Sequence, residues 1–307
     1  MASVDESGGA RHASSYLFMS SAPAALTRIT LLLQLIWVPL CLRGAGEEPN
    51  QTPAELRIVT YNVLADPVHV EKRLPALFHI LQDSHADIII LQEFTAWMAQ
   101  KLFQESWVAE YHRTSRDHKT VIAHEYLILS KYPIIDFFTK PLPGPQRRVL
   151  FLATLDIAGT KTAIATCHLE SLLEDGPIRA QQLDLYFEQL APFDEAFFAG
   201  DFNFGDGEQP DTNHLAANFR DAWREANPQL PGYTWDIEIS RFARDEAFAG
   251  EGSRRLDRIL FKSSRWRPVS ATILGNKSLD GKRRKIFPSD HFGLLAVFRF
   301  NDKGSAK

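Results

Sequence analysis

From Leu56 to Phe300 short apolar runs of strand length alternate with amphipathic helices, and run after run stops at Asn, Glu, His or Asp. "LRIVTYN" (56–62) reads as a strand ending at Asn62. "EKRLPALFHILQDS" (71–84) spaces Leu74, Leu77, Phe78 and Leu81 at helical intervals, so one face of a helix is apolar. "ADIIILQE" (86–93) is apolar without alternation, as a strand covered on both faces requires, and it ends at Glu93. A second helix is expected over 95–105, strands over 120–130, 149–157 and 161–168, and a helix over 177–190 with Pro177 in its first turn. "EAFFAGDFN" (195–203) is another buried strand, followed by short helical turns near 213–218 and 221–226. Strands return over 256–262, 267–275 and 291–300. This order gives an α/β domain of mixed strand order over residues 56–302, behind a polar linker at 47–55.

The chain is large enough for such a domain, since 307 residues with 45% hydrophobic side chains bury a sizeable core. The formal net charge is −4; Arg11, Arg28 and Arg43 against Asp5 and Glu6 put residues 1–46 at +1, so the remainder is near −5. No global basic field therefore advertises nucleic-acid binding. Basic character is local, at Arg254-Arg255 and at Lys282-Arg283-Arg284-Lys285, where a solvated face and a phosphate contact are both open readings. Cys41 and Cys167 are too few for a disulfide framework, and Cys167 in "TAIATCH" reads as a small core residue.

Residues 1–46 differ from the rest. A polar, small-residue start, "MASVDESGGARHASS", reads as disordered and is followed by Arg28 and the apolar run Ile29–Leu42. That run is shorter than the roughly 20 residues of a membrane span. It fits the apolar region of a signal peptide, with "RGAGEE" as a small-residue cleavage site, and an N-terminal membrane anchor is the alternative. Either way the expectation is an exported chain, periplasmic or secreted, that meets a membrane only through residues 29–42.

In an α/β sheet the strand ends gather along one edge, and sites form there. Asn62, Glu93, His168, Asp201 and Asn203 close their strands, Asp257 opens "LDRILFK", and Asp290 and His291 open the last strand. Singly, each could cap a helix. Together they complement one another. Carboxylates supply hard oxygen ligands for Mg²⁺. Asn and His supply donors to phosphate oxygens, and an Asp–His pair can hold an imidazolium against developing negative charge. Asp201 and Asn203, two apart at a strand end, point to the same side. No Ser-centred elbow or Cys–His pair competes, and histidines at zinc-binding spacing are missing.

The ordered set "TYN…QE…HLES…GDFN…DRILF…PSDH" resembles the endonuclease/exonuclease/phosphatase superfamily, the deoxyribonuclease-I-like fold, over about residues 56–300. Within it, "CHLES", "YTWD" (233–236) and "PSDHFGLL" (288–295) are similar to the tyrosyl-DNA phosphodiesterase 2 branch. The resemblance implies a four-layer α/β sandwich, with two mixed β-sheets packed face to face and flanked by helices. It implies hydrolysis of a phosphodiester or phosphomonoester by in-line attack of water, with Mg²⁺ or Mn²⁺ as cofactor. By the same resemblance Glu93 ligates the metal, Asn62 orients the metal site and the phosphate, and Asp290 is the acid beside them. Asp201 aligns the attacking water and Asn203 binds the scissile phosphate. His291 contacts the phosphoryl oxygens and Asp257 holds it, while His168 stabilises the transition state or protonates the leaving oxygen. Trp235 and Tyr233 wall the substrate pocket or anchor the core.

Three positions depart from that branch. Leu64 stands where it carries a second acid, and "TYNVLADP" looks more like the deadenylase and sphingomyelinase branches, with Asp66 as the nearest substitute. Gly205 in "GDFNFGD" stands where relatives keep an Arg, which removes a cation near the phosphate; Asp206 and Asp211 beyond it read as a loop. His124-Glu125-Tyr126 precede "LILS" where relatives carry a small residue. These positions bear on substrate choice. Nucleic-acid ends, DNA or RNA, are the first reading; a phospholipid head group, inositol phosphate or other small phosphoester is the alternative. No obligate protein partner is implied.

Overall fold

The computed structural model describes residues 52–115, 125–281 and 286–301. The leader at 29–42 and the basic run at 282–285 lie outside the described residues. In chain order the elements are β1 (Glu55–Asn62), α1 (Val70–Asp83), β2 (Ile88–Gln92), α2 (Ala96–Leu102), β3 (His112–Arg113), β4 (Leu127–Ser130), β5 (Ile134–Pro141), β6 (Val149–Ile157) and β7 (Thr160–His168). Then come α3 (Gly176–Leu190), β8 (Ala196–Asp201), β9 (Arg220–Asp221), α4 (Ala222–Ala226), α5 (Arg241–Glu246), β10 (Asp257–Lys262), β11 (Trp266–Leu274) and β12 (Gly293–Phe300). They build two mixed six-stranded sheets, ordered β11-β12-β1-β2-β4-β3 and β5-β6-β7-β8-β10-β9.

The period of two along each strand makes the layers. On β1, Leu56 and Ile58 face the second sheet, where they join Phe151, Ile164, Phe197 and Ile259 in one core. Val59 and Tyr61 point the other way, into a core that α1 completes with Leu74, Leu77, Phe78 and Leu81. On the far side α3 lays Leu183, Tyr186 and Leu190 against Ala163, Ala165 and Phe198. Between the sheets the rings of Phe197 and Phe298 meet edge to face at 5.0 Å. Burying such a side chain contributes roughly 1.5–3 kcal/mol, against about 1 for a net hydrogen bond, so apolar burial sets the order of layers. Buried polar ties cross between the sheets, among them Gln92 Nε2 to Thr166 Oγ1 at 3.1 Å and Asn62 Nδ2 to Asp201 Oδ2 at 3.0 Å.

Register places the site. Two parallel pairs sit inside otherwise antiparallel sheets: β1 with β2, where Asn62 meets Gln92, and β7 with β8, where His168 meets Asp201. Parallel neighbours end at the same edge. The antiparallel neighbours begin there: Asp257 of β10 lies opposite Asp201, and Leu294 of β12 opposite Thr60.

Some elements depart from the sequence expectation. The strand expected over 120–130 is β4, Leu127–Ser130; residues 116–124 lie outside the described residues. Strand β5 escaped notice because it is an exposed sheet edge with no apolar alternation to read. Helix α5 escaped because its short span buries only Ala243.

Candidate active site

The strand edge forms the floor of a cavity of about 900 Å³. Glu93, Asp201, Asn203, His168, Asp290 and His291 line it together. Trp235 lines it too, packed against His291 with ring centroids 5.0 Å apart. Tyr233 does not belong to the lining; it is an exposed side chain, so the structure leaves the expected aromatic wall to Trp235 alone of the two.

Asn62 sits buried beneath the floor. Its Nδ2 donates to Glu93 Oε1 at 2.9 Å and to Asp201 Oδ2 at 3.0 Å, while its Oδ1 accepts from Leu64 N at 3.2 Å. The amide oxygen is thus committed to the loop after β1, which suits Asn62 to orienting carboxylates rather than ligating a metal. Glu93 follows the last residue of β2 in a left-handed conformation, φ 54°, and its Oε2 accepts from Ala65 N at 2.9 Å. Burial pushes its carboxyl up, the neighbouring Asp290 carboxylate adds to that, and the Ala65 and Asn62 donors only partly oppose it. Two carboxylates crowded together in this way lack positive charge, which a hard divalent cation would supply. Asp201, Asp257 and His291 also bring ligand atoms within 4.8 Å of one another. Those atoms are largely occupied with each other. Asp257 Oδ2 lies 2.8 Å from His291 Nδ1, and His291 Nε2 lies 3.6 Å from Asp201 Oδ2. The carboxylates of Glu93 and Asp290 are the better donors for a hard divalent cation.

The two histidines carry different charge. Burial pushes His291 down, but Asp257 and Asp201 outweigh it and hold the imidazole well above its usual range, so it is a cation. Burial and the Arg148 guanidinium instead lower His168 to about 3, although Asp201 at 3.6 Å pulls the other way. His168 is therefore neutral. Arg148 Nη1 stands 2.9 Å from His168 Nδ1 and Arg148 Nη2 3.0 Å from His168 Nε2, so the guanidinium, which can only donate, presents an N–H to each ring nitrogen. His168 Nε2 also lies 3.6 Å from Asp201 Oδ2 and 3.9 Å from Glu93 Oε1. Burial would raise Asp201, yet His291 first, then His168 and the Asn62 and Asn203 donors, keep it below its ordinary value. Asn203, also left-handed at φ 55°, closes the turn with its N–H on Asp201 Oδ1 at 3.0 Å.

Several contributors went unread in the sequence. Thr234 Oγ1 accepts the backbone N–H groups of Leu256 and Asp257 at 3.0 and 2.9 Å and so sets the start of β10. Arg148 has a legible signal only in hindsight: it precedes β6, whose pairing with β7 brings its flank near His168. Tyr126 explains the bulky residue before "LILS", because its hydroxyl accepts the His168 N–H at 2.9 Å. Asp66 lines the cavity, but its Oδ1 accepts Val68 N at 2.7 Å within its own loop.

The gap at Gly205 is filled from elsewhere. A Cβ there would meet Glu208 Oε1 at 2.6 Å and Arg254 Cδ at 3.4 Å, so Arg254 stands in the space, paired with Glu208 and Glu251. Arg255 is buried with Asp206 and Asp221, which corrects the solvated-face reading of Arg254-Arg255. Asp206 and Asp211 are structural; Asp211 is a buried partner of Arg179 at 2.7 Å.

This fold and this constellation of acid, amide and imidazole groups define a metal-dependent phosphodiesterase. The chain belongs to the Endonuclease/Exonuclease/phosphatase family, whose model matches residues 59–291. It is 27% identical over 259 residues to "Tyrosyl-DNA phosphodiesterase 2" of Xenopus tropicalis, covering 81% of this chain and 67% of that one. It is 26% identical over 268 residues to the protein of that name in Rattus norvegicus, covering 81% and 69%. Among solved structures, D. rerio TDP2 complexed with single strand DNA product has a TM-score of 0.69 at 24% identity, covering 80% of this chain and all of that one. The human Nocturnin catalytic domain with bound sulfate anion has a TM-score of 0.59 at 19% identity, covering 81% and 95%. At these identities the structural likeness shows the fold.

One expectation is overturned. The curated relatives are tyrosyl-DNA phosphodiesterases, enzymes whose substrate by name is DNA, and this corrects the reading of the chain as an exported, signal-peptide-bearing enzyme. Among the described residues no helix is long and apolar enough to cross a membrane; residues 29–42, where the anchor was expected, lie outside them.

Proposed function

We propose that this phosphodiesterase hydrolyses the phosphodiester at the end of a DNA strand, with a 5′-tyrosyl adduct as the leading substrate. The observation that carries the reaction is the meeting of Asp201 with Asn62, His168 and His291 at one strand edge. The DNA end comes from the relatives that share those motifs. Glu93 and Asp290 would hold Mg²⁺ or Mn²⁺, with Asn62 fixing Glu93. When bound, that ion supplies positive charge to the phosphoryl oxygens.

The residues divide the remaining work. Asp201, ionised and buried, aligns the attacking water and accepts its proton. The His291 cation, held by Asp257, faces the charge that develops on the phosphoryl group. Neutral His168 has one ring N–H to donate toward the same oxygens. Trp235, packed against His291, walls the cavity beside the reacting phosphoryl group.

The test is a Mg²⁺-dependent screen over 5′-tyrosyl single-stranded DNA, unmodified DNA and RNA, sphingomyelin and inositol phosphates. Turnover of the tyrosyl-DNA oligonucleotide well above the others is expected. Preference for a lipid or inositol substrate would overturn the DNA reading and leave the phosphoesterase intact.

A further inference from the structure

Arg73 is a buried arginine on α1 with no place in the cavity lining, yet its whole guanidinium is committed to two loops that shape the site. Nη2 donates to Val63 O at 2.9 Å and Leu64 O at 2.8 Å, and Nη1 to Asp66 O at 2.7 Å and Val68 O at 2.9 Å. Nε donates to Pro288 O at 3.0 Å. Every donor of the planar fork thus meets a backbone carbonyl: four lie in the loop after β1, and the fifth is two residues before Asp290.

Those loops place ligand-bearing groups from both sides. The loop after β1 carries the Leu64 N–H that fixes the Asn62 amide and the Ala65 N–H that fixes Glu93. The 288–291 segment carries Asp290 and His291, and its Ser289 hydroxyl donates to Asn62 O at 2.8 Å. We propose that Arg73 is a positioning residue for the hydrolysis, a clamp that sets Glu93 and Asp290 at their working separation. This rests on the assignment of those two carboxylates to the metal. No other side chain offers five donors in one rigid plane, and lysine has at most three on a flexible stem. Four convergent carbonyls in one short loop would otherwise repel and let the loop open.

The test uses the full chain with Arg73→Lys and Arg73→Gln. The first readout is amide hydrogen exchange over residues 62–68 and 286–291, compared with the β1 and β12 interior. The second is kcat, KM and the Mg²⁺ concentration for half-maximal hydrolysis of a small chromogenic diester. Faster exchange confined to the two loops is expected in both variants, with kcat lowered and the half-maximal Mg²⁺ raised by about 10–100-fold, as for lost supports of metal ligands. KM should move little, and Lys should fall between wild type and Gln. Wild-type exchange in both loops, a uniform rise across the domain, or unchanged kcat and Mg²⁺ response would each overturn the clamp. If Arg73→Gln does not fold, Arg73→Lys decides. A wild type without phosphodiesterase activity would refute the metal assignment, while the exchange pattern still tests the clamp.

Discussion

His291 Nδ1 stands 2.8 Å from Asp257 Oδ2, and its Nε2 faces Asp201 Oδ2 across 3.6 Å. Burial alone would strip the imidazole of its proton, and the two carboxylates outweigh that effect. The folded pKa is raised, so the cation persists above the usual histidine range of about 6.5 and is lost only at higher pH. Asp257→Asn removes the nearer carboxylate. The alkaline limb of kcat/KM should then move to lower pH, and kcat at neutral pH should fall on the order of 10²-fold. A pH profile on a small chromogenic diester measures both. An unmoved alkaline limb would mean that the His291 cation is not what the reaction uses.

Glu93 gives two expectations of opposite sign. Glu93→Gln should lower turnover on the order of 10³-fold, because the proposed metal site loses a carboxylate. The same change should raise the stability of the metal-free protein. A carboxyl whose folded pKa lies above its unfolded value near 4.3 costs stability once pH exceeds that value. Burial and Asp290 place Glu93 in that position. Urea melts in chelator at pH 7 read the gain. Mg²⁺ should raise the Tm of the wild type and leave the variant unmoved. A destabilised variant without metal would contradict the charge crowding.

The edge where these residues meet was legible because strand ends show in sequence as apolar runs that stop at polar residues. Asn62, Glu93, His168, Asp201 and Asp257 each sit at or beside a strand terminus. What sequence hides is contact made across the register. Arg148 lies 20 positions from His168 and meets it only because β6 pairs with β7. Arg254 carries no periodic signal, and its approach to Gly205 depends on a turn between β9 and β10. Tyr233 and Trp235 look equivalent in "YTWD", but Trp235 is pinned by bridges to Arg254 and His291 and lines the cavity, while Tyr233 is exposed.

Asp206 ties three arginines, with Arg258 Nη1 at 2.8 Å and both Arg255 and Arg224 as partners. Burial would raise its carboxyl, and the arginines, Arg255 first, depress it far below the ordinary range. A depressed folded pKa contributes stability above the unfolded value near 3.9 that is lost as pH falls through the folded value. Asp206→Asn should flatten acid unfolding below about pH 4 and lower stability at neutral pH. The side chain is 36% exposed, so solvent screening cuts the loss to about 1–2 kcal/mol. Urea melts at pH 3.5 and 7 test it, and parallel losses at both pH values would reject the linkage.

Gly200 precedes Asp201 and lies opposite Cys167 of β7. Its φ is 151°, and a Cβ there would meet Cys167 O at 2.2 Å and Cys167 N at 2.7 Å, both backbone atoms that cannot swing away. Gly200→Ala must push the two strands apart where His168 pairs with Asp201. The expected cost is about 3 kcal/mol, from backbone strain plus overpacking, with kcat reduced alongside because His168 and Asp201, the proposed catalytic side chains, ride on the displaced strands. Gly159→Ala is the control: φ is also positive, at 77°, but nothing lies within 4 Å. It should cost only the left-handed strain, about 1 kcal/mol, and leave kcat unchanged. Equal losses in the two variants would show that conformation alone, and not the close approach of β7, requires glycine before Asp201.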